Sequence, residues 1–513
     1  MKAVRCLLVL VLLLMMGVVN AQNTDRFWAF GDSAAIDFKI ISNPVPSNST
    51  LRARGTCVSI CDSVGDLLFY ASTPHTPAYP YTGIVGKRGH VVNKIHQTMQ
   101  DGDSIVGAGW YQEMVIVPDP ASPMKYYLFS AGELAPVYGL FYSKIDMSYN
   151  NGLGKVVQKN VQLNNDSIAD GITAVKHGNG RDWWVIVRNW KGQQYTNDIL
   201  VFLVDPNGVT AMPVQNIGVP EIMDGFVRLK FNKTGSHVYN VSASSVIERY
   251  DFDRCTGLFS NPHTYQGLFG PPYRFYWGFE VSPDESKLYV SSIYQTANYD
   301  TSYLIQFDLN ATNFMASADT LHTYLVPDMP GLLQKGPDNK IYLSTYWAGA
   351  DTCFDYLYCF ETVNTTNTYL SVINKPDSAG ASCDFQPFSF YLGGHKSYVG
   401  LPNNPNYEQT AWIGSPCDTL TTLLPSIFPK QRKLNLYYDA TWQTVFVNAA
   451  ELKGKRATLE YYTSSGQLLS KSTQTIDGGY FMQSSSFASQ PSGVYVVRLL
   501  TEKEVLVGRF VKQ

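Results

Sequence analysis

A serine nucleophile needs a histidine base and a carboxylate to orient it. By type alone the chain offers one such set: Ser33 in Phe30-Gly-Asp-Ser, with Asp319 and His322 in Asp319-Thr-Leu-His. That trio would make a hydrolase. Its setting argues against it, because the chain shows almost no helical periodicity and no second Gly or Asn block for an oxyanion hole. The eight histidines are scattered through the chain, and no two stand at the spacing of a helix-borne metal pair. Asp101-Gly-Asp103 is too short for a calcium loop, and Glu280/Asp284 and Asp251/Asp253 fall where hairpin turns need capping. No metal, cofactor or catalytic set is expected. The remaining chemistry lies with Trp110, Trp184, Trp190, Trp277 and Trp347, which stand in or beside apolar stretches. A Trp ring presents a flat apolar face and a polar edge, so any that reach a rim would stack on sugar, while the others would fill core. Ligand binding is the expected function, with a secreted esterase or glycosidase as the alternative.

At the start of the chain, Lys2 and Arg5 precede an apolar run from Leu7 to Val19, and Val19-Asn-Ala21 offers a small-residue cleavage site. Residues 1–21 therefore predict a secretory signal peptide. Spanning a bilayer takes about 20 apolar residues, so the run is too short to remain as an anchor, and no later stretch would cross as a helix. Loss of Cys6 with the signal leaves an odd set of cysteines in an oxidising compartment. Spacing suggests Cys57 with Cys61 and Cys353 with Cys359 as loop clips, and Cys383 with Cys417 as a tie for a linker. Cys255 would be free.

The elements that must position these residues are strands. The chain has 513 residues, is 45% hydrophobic and 13% aromatic, and carries 40 Gly and 27 Pro. That composition excludes disorder and favours β structure punctuated by turns. Its charges sum to 39 − 42 = −3, which leaves no basic surface for nucleic acid. One pattern recurs every fifty-odd residues, a Gly/Asp/Asn turn followed by an apolar, Tyr-rich strand. It begins at Asp62, Pro120, Gly178, Lys233, Asp284 and Asp338. An apolar strand precedes each copy and another follows it, which is the make-up of a β-propeller blade. Phe385-Gln-Pro-Phe-Ser-Phe-Tyr-Leu resembles a strand opening one more blade, and Phe27-Trp-Ala-Phe and Ala35-Ile-Asp-Phe lack an opening partner. Pairing chain start with chain end would close a ring of seven blades over residues 25–402. Residues 403–430, rich in Pro, Asn and Thr, read as a linker. Seven short strands in 431–513 suit a small immunoglobulin-like β-sandwich.

Two resemblances follow. Tyr461-Tyr-Thr-Ser-Ser-Gly-Gln-Leu-Leu, Pro491-Ser-Gly-Val-Tyr-Val-Val-Arg-Leu and the terminal Val507-Gly-Arg-Phe-Val-Lys-Gln resemble the C-terminal sorting domain of the Bacteroidetes type IX secretion system. Phe428-Pro-Lys stands where such domains begin with a Pro-Asn-Pro-like turn. The resemblance implies that the secretion machinery is a partner and that the chain crosses the outer membrane, to be held at the cell surface or released. Trp28-Ala-Phe-Gly, Asp170-Gly-Ile-Thr-Ala-Val-Lys-His-Gly, Tyr250-Asp-Phe-Asp-Arg-Cys-Thr-Gly and Leu401-Pro-Asn-Asn-Pro-Asn-Tyr are similar to large secreted propeller proteins of the same bacteria. The ligand expected on such a surface is a glycan or another surface protein. Asp followed by Ser or Thr and an aliphatic residue matches the O-glycosylation pattern of that phylum, at Ser33, Ser63, Ser104, Ser167, Thr320, Ser378 and Thr419.

Overall fold

The computed structural model describes residues 23–74, 87–107, 109–134, 137–190, 196–220, 226–266, 274–294, 301–347, 364–418, 434–449, 452–463, 467–476, 478–503 and 505–512. The signal segment, Cys353, Cys359, Thr419 and the rest of the expected linker to 430 lie outside the described residues.

The recurring motif builds one hairpin six times. In each copy a backbone hydrogen bond spans three residues and closes the turn: Gly65 to Asp62, Ser122 to Asp119, Gly180 to His177, Gly235 to Asn232, Glu285 to Ser282 and Asn339 to Gly336. Gly65, Gly180, Gly235, Glu285 and Asn339 all have left-handed backbones, with φ from 62° to 92°. Glycine enters that region freely and Asn at small cost, which explains their recurrence here. The strand after the turn is apolar on both faces because neighbouring sheets cover both. Trp183–Arg188, for example, is buried at every residue.

The first sheet holds β1 (Phe27–Phe30), β2 (Asp32–Asp37), β3 (Val45–Cys61), β4 (Leu67–Pro74) and β5 (His90–Asn93). The second holds β6 (Met114–Pro118), β7 (Lys125–Leu134), β8 (Val137–Asp146) and β9 (Lys155–Gln162). In the third are β10 (Thr173–Lys176), β11 (Trp183–Arg188), β12 (Asp198–Asp205), β13 (Gly208–Ala211) and β14 (Gln215–Asn216). The fourth comprises β15 (Val227–Phe231), β16 (His237–Ser242), β17 (Val246–Asp253) and β18 (Leu258–Gln266). In the fifth come β19 (Arg274–Val281), β20 (Lys287–Tyr294), β21 (Thr301–Asp308) and β22 (Asp319–Leu325). The sixth has β23 (Asp328–Lys335), β24 (Ile341–Trp347), β25 (Tyr369–Ile373) and β26 (Phe385–Tyr391).

Consecutive antiparallel strands in successive stacked sheets make a β-propeller. The apolar clusters follow the ring. One runs through the first three sheets (Val58, Phe129, Val185), and others join third to fourth (Ile186, Leu229) and fourth to fifth (Val241, Phe279). Two more join fifth to sixth (Tyr289, Leu343) and sixth back to first (Tyr342, Trp28). The seventh unit comes from the first sheet itself. β3 pairs with β2 up to Arg52 and with β4 from Ala53, and its register breaks between Ala53 and Cys57.

Closure differs from the expected pairing of chain start with chain end. Phe385–Tyr391 is the outer strand of the sixth sheet, and β1 pairs with β2. The ring closes by packing, with Trp28 and Phe38 set edge-on to Tyr342 at centroid distances of 5.7 and 5.6 Å, and by a short backbone bridge in which Asp32 and Lys396 exchange hydrogen bonds of 2.8 and 3.2 Å. The outer β26 follows from length: after β24 and β25 the sixth sheet still lacked a fourth strand, and the chain supplies it before returning to the axis.

The chain divides into two compact units, Met1–Thr421 and Thr422–Gln513. In the second, β27 (Asn435–Asp439), β28 (Thr444–Ala449) and β31 (Phe481–Ser486) form one sheet. The other sheet is β30 (Leu468–Thr475), β29 (Arg456–Thr463), β32 (Gly493–Thr501) and β33 (Val505–Lys512). Val445, Val447, Leu459, Val497 and Phe510 fill the space between them, giving a small β-sandwich.

Candidate functional site

The first strand of each blade lines the channel, and what fills that channel is the end of the expected propeller segment together with the start of the stretch expected to be a linker. Residues 396–409 run along it and bond to several blades in turn, and residues 410–418 continue over the turns at Gly178 and Arg254. Lys396 bridges to Asp32, Val399 accepts from Leu332 N, and Gly400 donates to Arg54 O. Any side chain at Gly400 would strike the Gly55 backbone. Asn403 Nδ2 then donates to Met114 O and Ile172 O at 2.9 and 2.8 Å, and the Tyr407 hydroxyl donates to Ile116 O at 3.0 Å. Inner strands of separate blades diverge and leave carbonyls without a ladder partner, and Asn and Tyr side chains supply the missing donors. The Pro- and Asn-rich composition, read as a linker, belongs to an axial plug that has no strand partner of its own.

The end of the plug is bolted down. Cys417 is disulfide-bonded to Cys255, with Cα atoms 5.4 Å apart. This corrects the expected pairing of Cys417 with Cys383 and the assignment of Cys255 as free. Cys383 is a free, buried thiol packed between the fifth and sixth sheets. Cys57 and Cys61 are also free and buried. They lie four residues apart on the extended β3, about 13 Å at ~3.3 Å per residue, well beyond the ~7 Å a disulfide bridges. Burial pushes their thiols up and leaves them unreactive. Beside the bolt, Arg254 donates to Lys176 O and to Thr410 O, both at 2.7 Å.

Inner strands begin at one end of the channel, and that end is aromatic. Trp110, Tyr111, Phe226 and Trp277 come from the starts of three blades and meet there. Ring centroids are 5.3 Å apart for Trp110 and Phe226 and 4.8 Å for Tyr111 and Trp277. Tyr111 lies between two guanidinium groups, Arg54 and Arg228, each 5.0 Å from its centroid. Arg228 is fixed by Asp170, whose carboxylate also accepts from the backbone N–H groups of Tyr111 and Gln112. Trp110 and Phe226 are half-buried. Trp277 is 8% exposed, yet its Nε1–H has no acceptor among the described residues.

Toward the other end, where the inner strands finish, the plug and the blades line a partly open cavity of about 170 Å³. Asp25 forms part of its wall. One carboxylate oxygen accepts from Trp28 Nε1 (2.9 Å) and Asn404 Nδ2 (2.6 Å), and burial raises the carboxyl from 3.8 to about 7. Across the cavity Lys230 and Glu280 pair at 2.7 Å. Burial draws the Lys230 ammonium down, whereas the charges of Lys230 and Lys335 hold the Glu280 carboxyl down against its own desolvation. Lys176 Nζ donates to Tyr407 O, and burial lowers it to about 8.

The tryptophans singled out from the sequence separate accordingly. Trp110 and Trp277 are brought together. Trp190, just past the end of β11, and Trp347, the last residue of β24, are both half-buried and stand at the same end of the ring. Trp184 is 2% exposed, donates to Arg254 O and packs between the third and fourth sheets, which makes it core. Ser33 and His322 are not brought together: Ser33 lies at the start of β2 beside Lys396, and His322 packs on Tyr324 and Phe385. Of the candidate glycosylation residues, Ser63 and Thr320 are exposed, and Ser33, Ser104, Ser167 and Ser378 are half-buried. Among the described residues no group of three metal-ligating side chains occurs, and no helix is long and apolar enough to cross a membrane. Sequence reasoning missed Arg54, Arg228, Asp25 and the whole plug. Their partners lie on other blades, and only the Leu401-Pro-Asn-Asn-Pro-Asn-Tyr and Gly414-Ser-Pro-Cys-Asp-Thr-Leu motifs marked the plug.

No family model matches the chain, and no curated protein matches its sequence. Solved structures similar to it are propeller-like. A β-propeller domain from Myceliophteria thermophila is 8% identical, with 63% of this chain and 93% of that one covered and a TM-score of 0.35. The Pseudomonas aeruginosa periplasmic gluconolactonase is 10% identical over 63% of this chain and 97% of that one, with a TM-score of 0.32. A quinonprotein alcohol dehydrogenase-like protein from Bacteroides thetaiotaomicron is 12% identical over 74% and 79%, with a TM-score of 0.38. At such identities the likeness concerns the fold, and no activity is carried over from it.

Proposed function

We propose that this chain is an exported binding protein of the cell surface, whose propeller takes a glycan at the aromatic end of its channel and whose C-terminal unit is a type IX sorting domain. The observation that carries the binding reading is Trp277: a buried donor without an acceptor among the described residues, set in a box of rings. A sugar supplies both things this box lacks, a C–H face for the half-buried Trp110 and Phe226 and a hydroxyl oxygen for Trp277 Nε1. The hydrolase alternative loses its nucleophile set, since Ser33 and His322 belong to different sheets.

A glycan array probed with mature residues 22–513 tests the binding reading. Trp110→Ala removes a half-buried wall of the box, and losing one stacked ring should weaken the best hit about tenfold. An array with no hit, or one indifferent to Trp110, would reject a glycan ligand at this end. The sorting assignment rests on the three C-terminal motifs, and deletion of Lys430–Gln513 should leave the protein in the periplasm by cell fractionation. Normal surface delivery of the shortened chain would refute it.

A further inference from the structure

The cavity at the polar end has the size and charge pattern of a ligand site distinct from the aromatic one. Its volume of about 170 Å³ equals that of about six waters at ~30 Å³ each, which suits an amino acid or a small dipeptide. Three carboxylates (Asp25, Glu280, Glu408) and three ammonium groups (Lys230, Lys233, Lys335) line it. One pair is consumed internally. Lys230 Nζ donates to Glu280 Oε2, Leu333 O and Gln334 Oε1, which uses its three protons. Glu280 also accepts from the backbone N–H groups of Val281 and Lys335. That leaves Asp25 and Glu408 against Lys233 and Lys335, and none of these four has an ion-pair partner among the described residues. The Asp25 Oδ1 atom is taken by Trp28 and Asn404, whereas Oδ2 accepts no hydrogen bond among the described residues.

We propose that this cavity binds a small zwitterion of amino-acid or dipeptide size, its ammonium group on Asp25 and Glu408 and its carboxylate on Lys233 and Lys335. Such a ligand supplies a counter-charge to both the two carboxylates and the two lysines of a net-neutral lining, whereas a lone anion or cation would answer only one of the two kinds. A neutral sugar would leave both charged pairs without counter-charge. The site depends on the seated plug, which contributes Asn403 to Gln409 to its wall.

Saturation-transfer NMR on the mature chain with millimolar glycylglycine should give a signal that the doubly capped N-acetylglycylglycine amide does not. Asp25→Asn keeps an oxygen for Trp28 and Asn404 and removes only the charge; Lys335→Gln does the same at the other pole. Each should raise the dissociation constant of glycylglycine about tenfold or more, the worth of one charge-assisted hydrogen bond. A melting curve for each variant separates lost binding from lost fold. Equal signals from capped and uncapped peptide, binding untouched by both substitutions, or no glycylglycine signal would each overturn the proposal. Glu280 stands three residues beyond Trp277 on β19, about 10 Å along the strand, so the Trp110→Ala array and the Lys335→Gln titration read different side chains and can fail independently.

Discussion

Asp25 works against the stability of the fold that contains it. Its carboxyl is raised from 3.8 to about 7, chiefly by burial, which outweighs the hydrogen bonds from Asn404 and Trp28 and the nearby charge of Arg26. A carboxyl whose folded value lies above its unfolded one stabilises the protein fully below the unfolded value, and that stabilisation is lost as pH rises through the folded value. Between the two the loss is about 1.4 kcal/mol per pH unit, or up to about 4 kcal/mol in all. Asp25→Asn keeps the two hydrogen bonds and never ionises, so at pH above about 8 the variant should be more stable than the parent, with the difference vanishing toward pH 4. Denaturant titrations at the two pH values measure this, and a parent that gains stability relative to the variant as pH rises would contradict it. A residue that costs stability and does nothing structural that Asn would not do is suited to a ligand contact.

At the scale of elements, blades were legible and the plug was not, for one physical reason. A blade is local: its turn, its left-handed residue and its apolar strand sit within one repeat, as in Gly178-Asn-Gly180 followed by Trp183–Arg188. The plug is defined by bonds to carbonyls hundreds of residues away, such as Asn403 to Met114, and its composition imitates a linker. Cysteine pairing failed likewise, since proximity in sequence suggested Cys57 with Cys61 and the fold joined Cys255 to Cys417 across 162 residues. The same span makes that bond valuable: closing so long a loop is worth up to about 5 kcal/mol by the chain-entropy estimate, and removals elsewhere cost about 2–5 kcal/mol. Gly178 packs on both sulfurs and leaves no room for a side chain. Cys255→Ser with Cys417→Ser should lower stability by an amount in that range and make the plug the first site of protease cleavage. Unchanged melting and an unchanged cleavage map would show that Arg254 and the axial hydrogen bonds suffice without the bond.

At the scale of the whole molecule, the boundary of the propeller is the question the plug settles. The repeat pattern alone would end the domain near Leu401, where blade-like strands cease. In the structure Asn403, Tyr407, Gln409 and Thr410 still bond to inner-strand or blade-turn groups, Tyr407 is 2% exposed, and the disulfide follows at Cys417. Removing these residues would leave several buried carbonyls without donors, at about 1–3 kcal/mol each, besides an empty channel lined by apolar side chains. The second unit has its own core and seven strands, so it should unfold as a separate transition. A chain ending at Asp418 should therefore keep the propeller transition of the mature protein in differential scanning calorimetry. A chain ending at Leu401 should lose cooperativity or melt far lower. If the two truncations melted alike, the axial segment would be a passenger in the channel rather than the element that completes the ring.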